Sequence, residues 1–191
     1  PNISRGQLEE AIFLYNNGQI HETINLIKVL NKSYPNVPIL FNLLGACYQS
    51  LRELDGALQM FQTATNLKSD YAEAYFNQGV VLKDLGKSDE SILAYKKVIS
   101  LNPNYPTAHN NLGNILKDLG QLEAAIESLE WAVAYNYDFA EAHNNLGSSF
   151  YGLGQFSEAI ECFERVFTIN PNYAESHIIL GSVLIDLGRT G

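Results

Sequence analysis

Basic residues are scarce in this sequence: 12 Lys and Arg stand against 21 Asp and Glu, a formal net charge of −9 over 191 residues. Nucleic-acid binders need clustered cations to displace counterions, so the balance points away from DNA and RNA. Cysteine is nearly absent. Cys47 and Cys162 form no CxxC pair and no disulfide framework, and they read as free, buried thiols of a reducing compartment. No apolar run approaches the ~18 residues that a membrane-crossing helix needs. Pro1–Glu10 has neither the basic start nor the apolar stretch of a secretory signal, and a cytoplasmic location is the expectation. The chain starts at Pro1 and stops at Gly191 just after a helical pattern, which suggests a piece of a longer protein. Paired carboxylates, a nucleophile beside a base, and a grouped phosphate-binding glycine loop are all missing. No catalytic residue, cofactor or metal ligand is therefore expected. Apolar material is not lacking: 46% of the residues are hydrophobic, too many for a disordered chain.

The glycines and prolines are few, but they are placed on a lattice. Gly45, Gly79, Gly113, Gly147 and Gly181 are each 34 residues apart. Gly18, Gly86, Gly120, Gly154 and Gly188 keep the same grid seven residues on, with Arg52 at the vacant node. Pro35, Pro103 and Pro171 share one phase, and Pro38 and Pro106 a neighbouring one. With Gly45 as position 8, the repeats are 4–37, 38–71, 72–105, 106–139, 140–173 and a half repeat 174–191. Within 72–105, Ala74, Tyr75, Leu82 and Leu85 make one helical stripe, and Ile92, Tyr95, Val98, Ile99 and Leu101 another. Gly86-Lys87-Ser88 separates them, and Asn102-Pro103-Asn104-Tyr105 closes the repeat. The spacing thus predicts about eleven helices in antiparallel pairs. Glycine at position 8 admits a neighbouring helix, and glycine at position 15 ends the first helix in a left-handed conformation. The small residues Thr23, Ala57, Ser91, Ala125 and Ala159 at position 20 mark the contact between the paired helices. Proline at position 32 stops the second helix, and proline at position 1 starts the next. Tyr71, Tyr105, Phe139 and Tyr173 at position 34 are expected to fill the seam between repeats.

An aromatic or His at position 4, Leu at 7, Gly at 8, a small residue at 20, a large apolar one at 24 and Pro at 32 resemble the tetratricopeptide repeat. His143, Leu146, Gly147, Phe150, Gly154, Ala159, Phe163, Val166 and Pro171 carry the resemblance best. The first repeat departs most, with Ala11 at the glycine position and Leu14 and Ile27 where aromatics are expected, as terminal repeats do. The resemblance implies an all-α, right-handed superhelical solenoid over 1–191, whose first helices line a concave groove for polypeptide. It implies a protein-interaction scaffold and no chemistry. His109, His143 and His177, also 34 apart, take the aromatic position 4. Equivalent helices stand roughly 8–10 Å apart, too far to share a zinc whose bonds are ~2.0 Å, so these side chains are expected to pack.

Positions 2, 6, 9 and 13 form one stripe of each first helix. Asn77, Asn111 and Asn145 recur at position 6, Asp84 and Asp118 at position 13, Asn114 at position 9, and Asn110 and Asn144 at position 5. Asparagine is a poor helix former, and solubility alone does not require it mid-helix. Two readings stand: a solvated face, or a ladder of amides that holds a peptide backbone. The ladder is similar to that in the repeat region of O-linked N-acetylglucosamine transferases; Leu43 and Ile179 interrupt it at either end. The carboxylate clamp of chaperone-binding relatives needs Lys or Arg at positions 2, 5 and 6, where this chain has Glu73, Glu141, Glu175, Asn42, Phe76, Asn110 and Asn144. With Asp84 and Asp118 nearby, an extended basic or neutral segment is the expected ligand. Two alternatives remain open: the recruiting arm of a larger enzyme, such as a glycosyltransferase or hydroxylase, and a module that self-assembles through Leu180, Val183, Leu184 and Leu187 of the last helix.

Overall fold

The structure, a computed structural model, describes residues 3–190. The described residues form eleven α-helices: α1 (Arg5–Asn16), α2 (Ile20–Ser33), α3 (Pro38–Ser50), α4 (Leu54–Leu67), α5 (Ala72–Asp84), α6 (Ser88–Leu101), α7 (Pro106–Asp118), α8 (Leu122–Tyr135), α9 (Ala140–Gly152), α10 (Phe156–Ile169) and α11 (Ala174–Thr190). They fall into two compact units, residues 1–101 and residues 102–191. In each unit, a first helix packs on its own second helix, and that second helix packs on the next first helix.

Local chemistry accounts for the pairing. A Cβ on Gly45 would lie 2.6 Å from the Phe61 ring, and one on Gly113 would lie 2.5 Å from Leu129 Cγ. Position 8 is therefore bare because the large residue at position 24 of the paired helix fills the space. Position 20 completes the contact: Thr23, Ala57, Ser91, Ala125 and Ala159 are fully buried, and the Ser91 hydroxyl donates to the Gly79 carbonyl at 2.7 Å. The turns at Gly18, Gly86, Gly120 and Gly154 all have φ near +73°, and Arg52 takes the same left-handed conformation at φ 62°.

Gly188 corrects the lattice expectation. It lies inside α11, which runs through it to Thr190. The prolines act as expected: Pro38 and Pro106 open α3 and α7, and Pro35, Pro103 and Pro171 lie two residues beyond α2, α6 and α10. α1 has a capping box, with the Ser4 hydroxyl accepting from the Gln7 amide. Helices α2, α3, α4, α5, α7, α8, α9 and α10 have no side-chain cap. Their stability comes from the buried face rather than from their ends.

His109 and His143 are buried, as a packing role requires, whereas His177 is exposed and stacks on Phe167 with ring centroids 4.2 Å apart. His109 donates to the Pro103 carbonyl at 2.9 Å, His143 to Tyr137 at 3.0 Å and His177 to Pro171 at 3.0 Å. A carbonyl only accepts, so each Nε2 carries its proton. Cys47 and Cys162 are free and buried, and burial pushes their thiols up to about 11 and about 12. None of the described helices is long and apolar enough to cross a membrane.

Candidate functional site

In residues 1–101, the first helices α1, α3 and α5 line a cleft of about 410 Å³. Each lining helical residue has a reason in the repeat. Positions 9, 12 and 13 of the first repeat supply Ile12, Tyr15 and Asn16. Positions 2, 6, 9 and 12 of the second supply Ile39, Leu43, Ala46 and Gln49, and positions 2 and 6 of the third supply Glu73 and Asn77. Of the residues that the sequence named for binding, Asn77 alone lines this cleft. Leu43, which interrupts the amide ladder, belongs to its apolar lining.

The polar part of this wall is a relay between repeats. Asn77 Nδ2 donates to Asn42 Oδ1 at 3.1 Å, and Asn42 Nδ2 donates to Glu73 Oε1 at 3.0 Å. Asn42 is 4% exposed, whereas Asn77 is half-buried and its Oδ1 makes no hydrogen bond among the described residues. Tyr71 closes one side of the cleft. Burial and the neighbouring Glu73 carboxylate push its phenol up to about 12, and the Asn42 amide opposes them in part. Glu73 is the one charged side chain of the lining.

Residues 102–191 repeat the relay. Asn145 Nδ2 donates to Asn110 Oδ1 at 3.0 Å, and Asn110 Nδ2 to Glu141 Oε1 at 3.0 Å. Lys117 Nζ also donates to Asn145 Oδ1 at 3.0 Å, so both ends of that amide are in use. Asn144 Oδ1 accepts from the Ser176 hydroxyl at 2.7 Å. The asparagines named from the sequence therefore divide. Asn110, Asn144 and Asn145 are buried in bonds between repeats, while Asn77, Asn111 and Asn114 are half-buried and Asp84 and Asp118 are exposed. The sequence reading missed Tyr15, Asn16 and Gln49. Positions 12 and 13 of the first two repeats could have found them, had the stripe been followed into the repeats that depart most from the pattern. Among the described residues no group of three or more His, Cys, Asp or Glu side chains can hold a metal.

Stacked 34-residue helix pairs with a wall of first helices define a helical-repeat solenoid. The repeats of residues 79–173 are tetratricopeptide repeats: a family model described as "TPR repeat" matches residues 79–120 and 113–154, and one described as "Tetratricopeptide repeat" matches residues 140–173. The crystal structure of MamA protein is 23% identical with a TM-score of 0.78, over 88% of this chain and 92% of that one. YrrB, described as "a TPR protein with an unusual peptide-binding site", is 16% identical with a TM-score of 0.80, over 93% and 91%. The first TPR of Spaghetti (RPAP3), bound to the HSP90 peptide SRMEEVD, is 26% identical with a TM-score of 0.60, over 61% and 93%. Comparison with curated proteins gives no significant match.

Proposed function

We propose that the chain is a protein-interaction scaffold whose cleft in residues 1–101 takes an extended polypeptide of neutral or basic character. The observation that carries this reading is the open Oδ1 of Asn77 beside an apolar lining of Ile12, Ile39 and Leu43. A backbone N–H of the ligand meets the amide oxygen, and its side chains meet the apolar surface. Glu73 adds negative charge and no lining residue adds positive charge, so an acidic peptide is disfavoured. In residues 102–191, the half-buried Asn114 offers an amide and Asp118 offers charge, as Asp84 does on α5. The resemblance to the amide ladder of O-linked N-acetylglucosamine transferases supports backbone holding without sequence readout. The two free thiols accord with a cytoplasmic protein.

Capture of partners by the chain, identified by mass spectrometry and repeated with Asn77→Ala and Leu43→Lys, tests the reading. Each variant is expected to weaken the same partner. A partner retained equally by both sinks it.

A second reading has its own observation. On α11, Leu184 and Leu187 are 53% and 43% exposed beside Ile178 and Ile185 at 73% and 57%, whereas Leu180 is half-buried and Val183 is fully buried, so Val183 is not part of that surface. Such apolar surface favours contact with another copy or with a further segment, including that of an enzyme for which this solenoid recruits substrate. Light scattering across a concentration series tests self-association; a constant monomer mass counts against it.

A further inference from the structure

A different surface stands out on the second helices of residues 102–191. Position 26 of the repeat is Val29, Thr63, Lys97 and Arg165 in four repeats, but Trp131 in the remaining one. Position 32, proline at three nodes, is Tyr137 here. The chain's single tryptophan is half exposed, and Tyr137 is 65% exposed. The Trp131 and Tyr135 rings stack with centroids 5.5 Å apart and planes 22° from parallel. His109, buried and fixed by the Pro103 carbonyl, stands 6.5 and 5.7 Å from them. This is a preorganised aromatic platform left open on one side.

Its surroundings state the charge of what fits. Glu123, Glu127 and Glu130 on α8 and Glu158, Glu161 and Glu164 on α10 are all exposed, and α8 carries no Lys or Arg. Glu123, Glu127, Trp131 and Tyr135 follow at spacings of four along roughly 18 Å of α8. The fold also contains one worked example of the contact. Arg165 lies with its guanidinium carbon 3.9 Å from the Tyr137 ring centroid, while its Nη2 donates to Asp138 at 2.6 Å. That pairing sets aromatic face and carboxylate against one guanidinium. Trp131 with Glu127 and Glu130 presents the same pair of groups, and among the described residues no cation lies over the Trp131 ring.

We propose that the outer face of α8 and α10 is a second docking surface, separate from the cleft, for an arginine-bearing extended segment of a partner protein. Its guanidinium groups stack on Trp131 and Tyr135 and bond to Glu127 and Glu130. Arginine fits better than lysine because its plane stacks and its fork of donors matches a carboxylate. The carboxylates repel nucleic acid and anionic lipid. A neutral proline-rich strand would use the rings but not the six glutamates.

Trp131 is its own reporter, because its emission is the only tryptophan signal of the protein. The intact chain is titrated with a synthetic peptide alternating Arg with Gly and Ser, with the citrulline version of that peptide, and with a neutral proline-rich peptide. A saturable emission change with the arginine peptide is expected, weakened about tenfold or more by citrulline. By calorimetry, Trp131→Ala and Glu127→Gln each weaken it about fivefold, Trp131→Phe retains most of the affinity, and Asn77→Ala leaves it unchanged. Circular dichroism melts verify that these surface variants fold. The proposal is overturned by the absence of saturable binding, by arginine-peptide affinity that ignores both Trp131→Ala and Glu127→Gln, or by preference for the proline-rich peptide.

Discussion

Asn145 reaches back from α9 to Asn110 on α7, donating its amide to Asn110 Oδ1 at 3.0 Å, and Asn77 does the same to Asn42 at 3.1 Å. The two bonds are 68 residues, or two repeats, apart. They differ in burial: Asn145 is 5% exposed and its oxygen is held by Lys117, whereas Asn77 is half-buried and its oxygen is open. One relay joins repeats; the other joins repeats and also faces a cleft.

Stability separates the two relays. Asn145→Ala leaves Asn110 Oδ1 without a donor in a buried site and frees Lys117, at a cost of about 1–3 kcal/mol. Asn77→Ala removes a half-buried amide and costs about 1 kcal/mol or less. Thermal melts should show the larger fall for Asn145→Ala, and equal falls would show that both amides are equally structural.

Position 8 gives a sharper contrast within one lattice. Gly113→Ala puts a methyl group 2.5 Å from Leu129 Cγ and 3.1 Å from the Ala125 carbonyl, so α7 and α8 must move apart. A loss of about 1–3 kcal/mol follows from overpacking. Gly181→Ala meets nothing within 4 Å in the middle of α11, and there the helix propensity of alanine gains about 0.5–1 kcal/mol. Denaturant midpoints measured on both variants check the opposite signs.

Arg52 occupies the one turn node where a Cβ sits at positive φ, 62°. Arg52→Gly relieves that strain and should stabilise the chain by about 1 kcal/mol, or about 2–4 °C in melting temperature at this length. A lower melting temperature would mean that the arginine side chain contributes more than its backbone costs.

Protonation of His143 opposes folding. Burial lowers its pKa below 6.5, the nearby Arg165 lowers it further, and the Tyr137 carbonyl and Asp138 act the other way. The unfolded chain then takes up the proton first as pH drops. The contribution of this residue is intact above about 6.5 and drains away as pH falls through the lowered folded value. Melting temperatures recorded from pH 7.5 to pH 5.5 should fall less in His143→Phe, which puts at position 4 the residue that Phe41 already is in another repeat. Parallel curves would remove His143 from the acid response.

How much of this was legible depended on whether the rule was local. Gly86 turns the chain and Pro106 opens a helix for reasons contained in their own backbones, so spacing alone located both. Arg52 was legible as the missing node, but only the fold shows that it keeps the left-handed turn at φ 62°. The destinations of the asparagines were not. Asn110 and Asn111 are neighbours in sequence but point about 100° apart around α7, and the partners of Asn110 lie 31 and 35 residues on. Only the packed helices show which amide is spent between repeats. Tyr15 and Gln49 escaped because the early repeats depart from the pattern that made the later ones readable. Gly188 misled because α11 continues through that node to Thr190.

The 34-residue grid has a last consequence for how the chain is made. Within each unit, the helices that pack against one another are never more than two elements apart along the chain. Contacts of such short loop length form early and quickly, because little chain entropy is lost in closing them. During synthesis, α1 to α3 have everything they need to assemble while α7 to α11 are still untranslated. The first walls of the cleft, with Tyr15 and Leu43 in place, can thus assemble before Trp131 has been made.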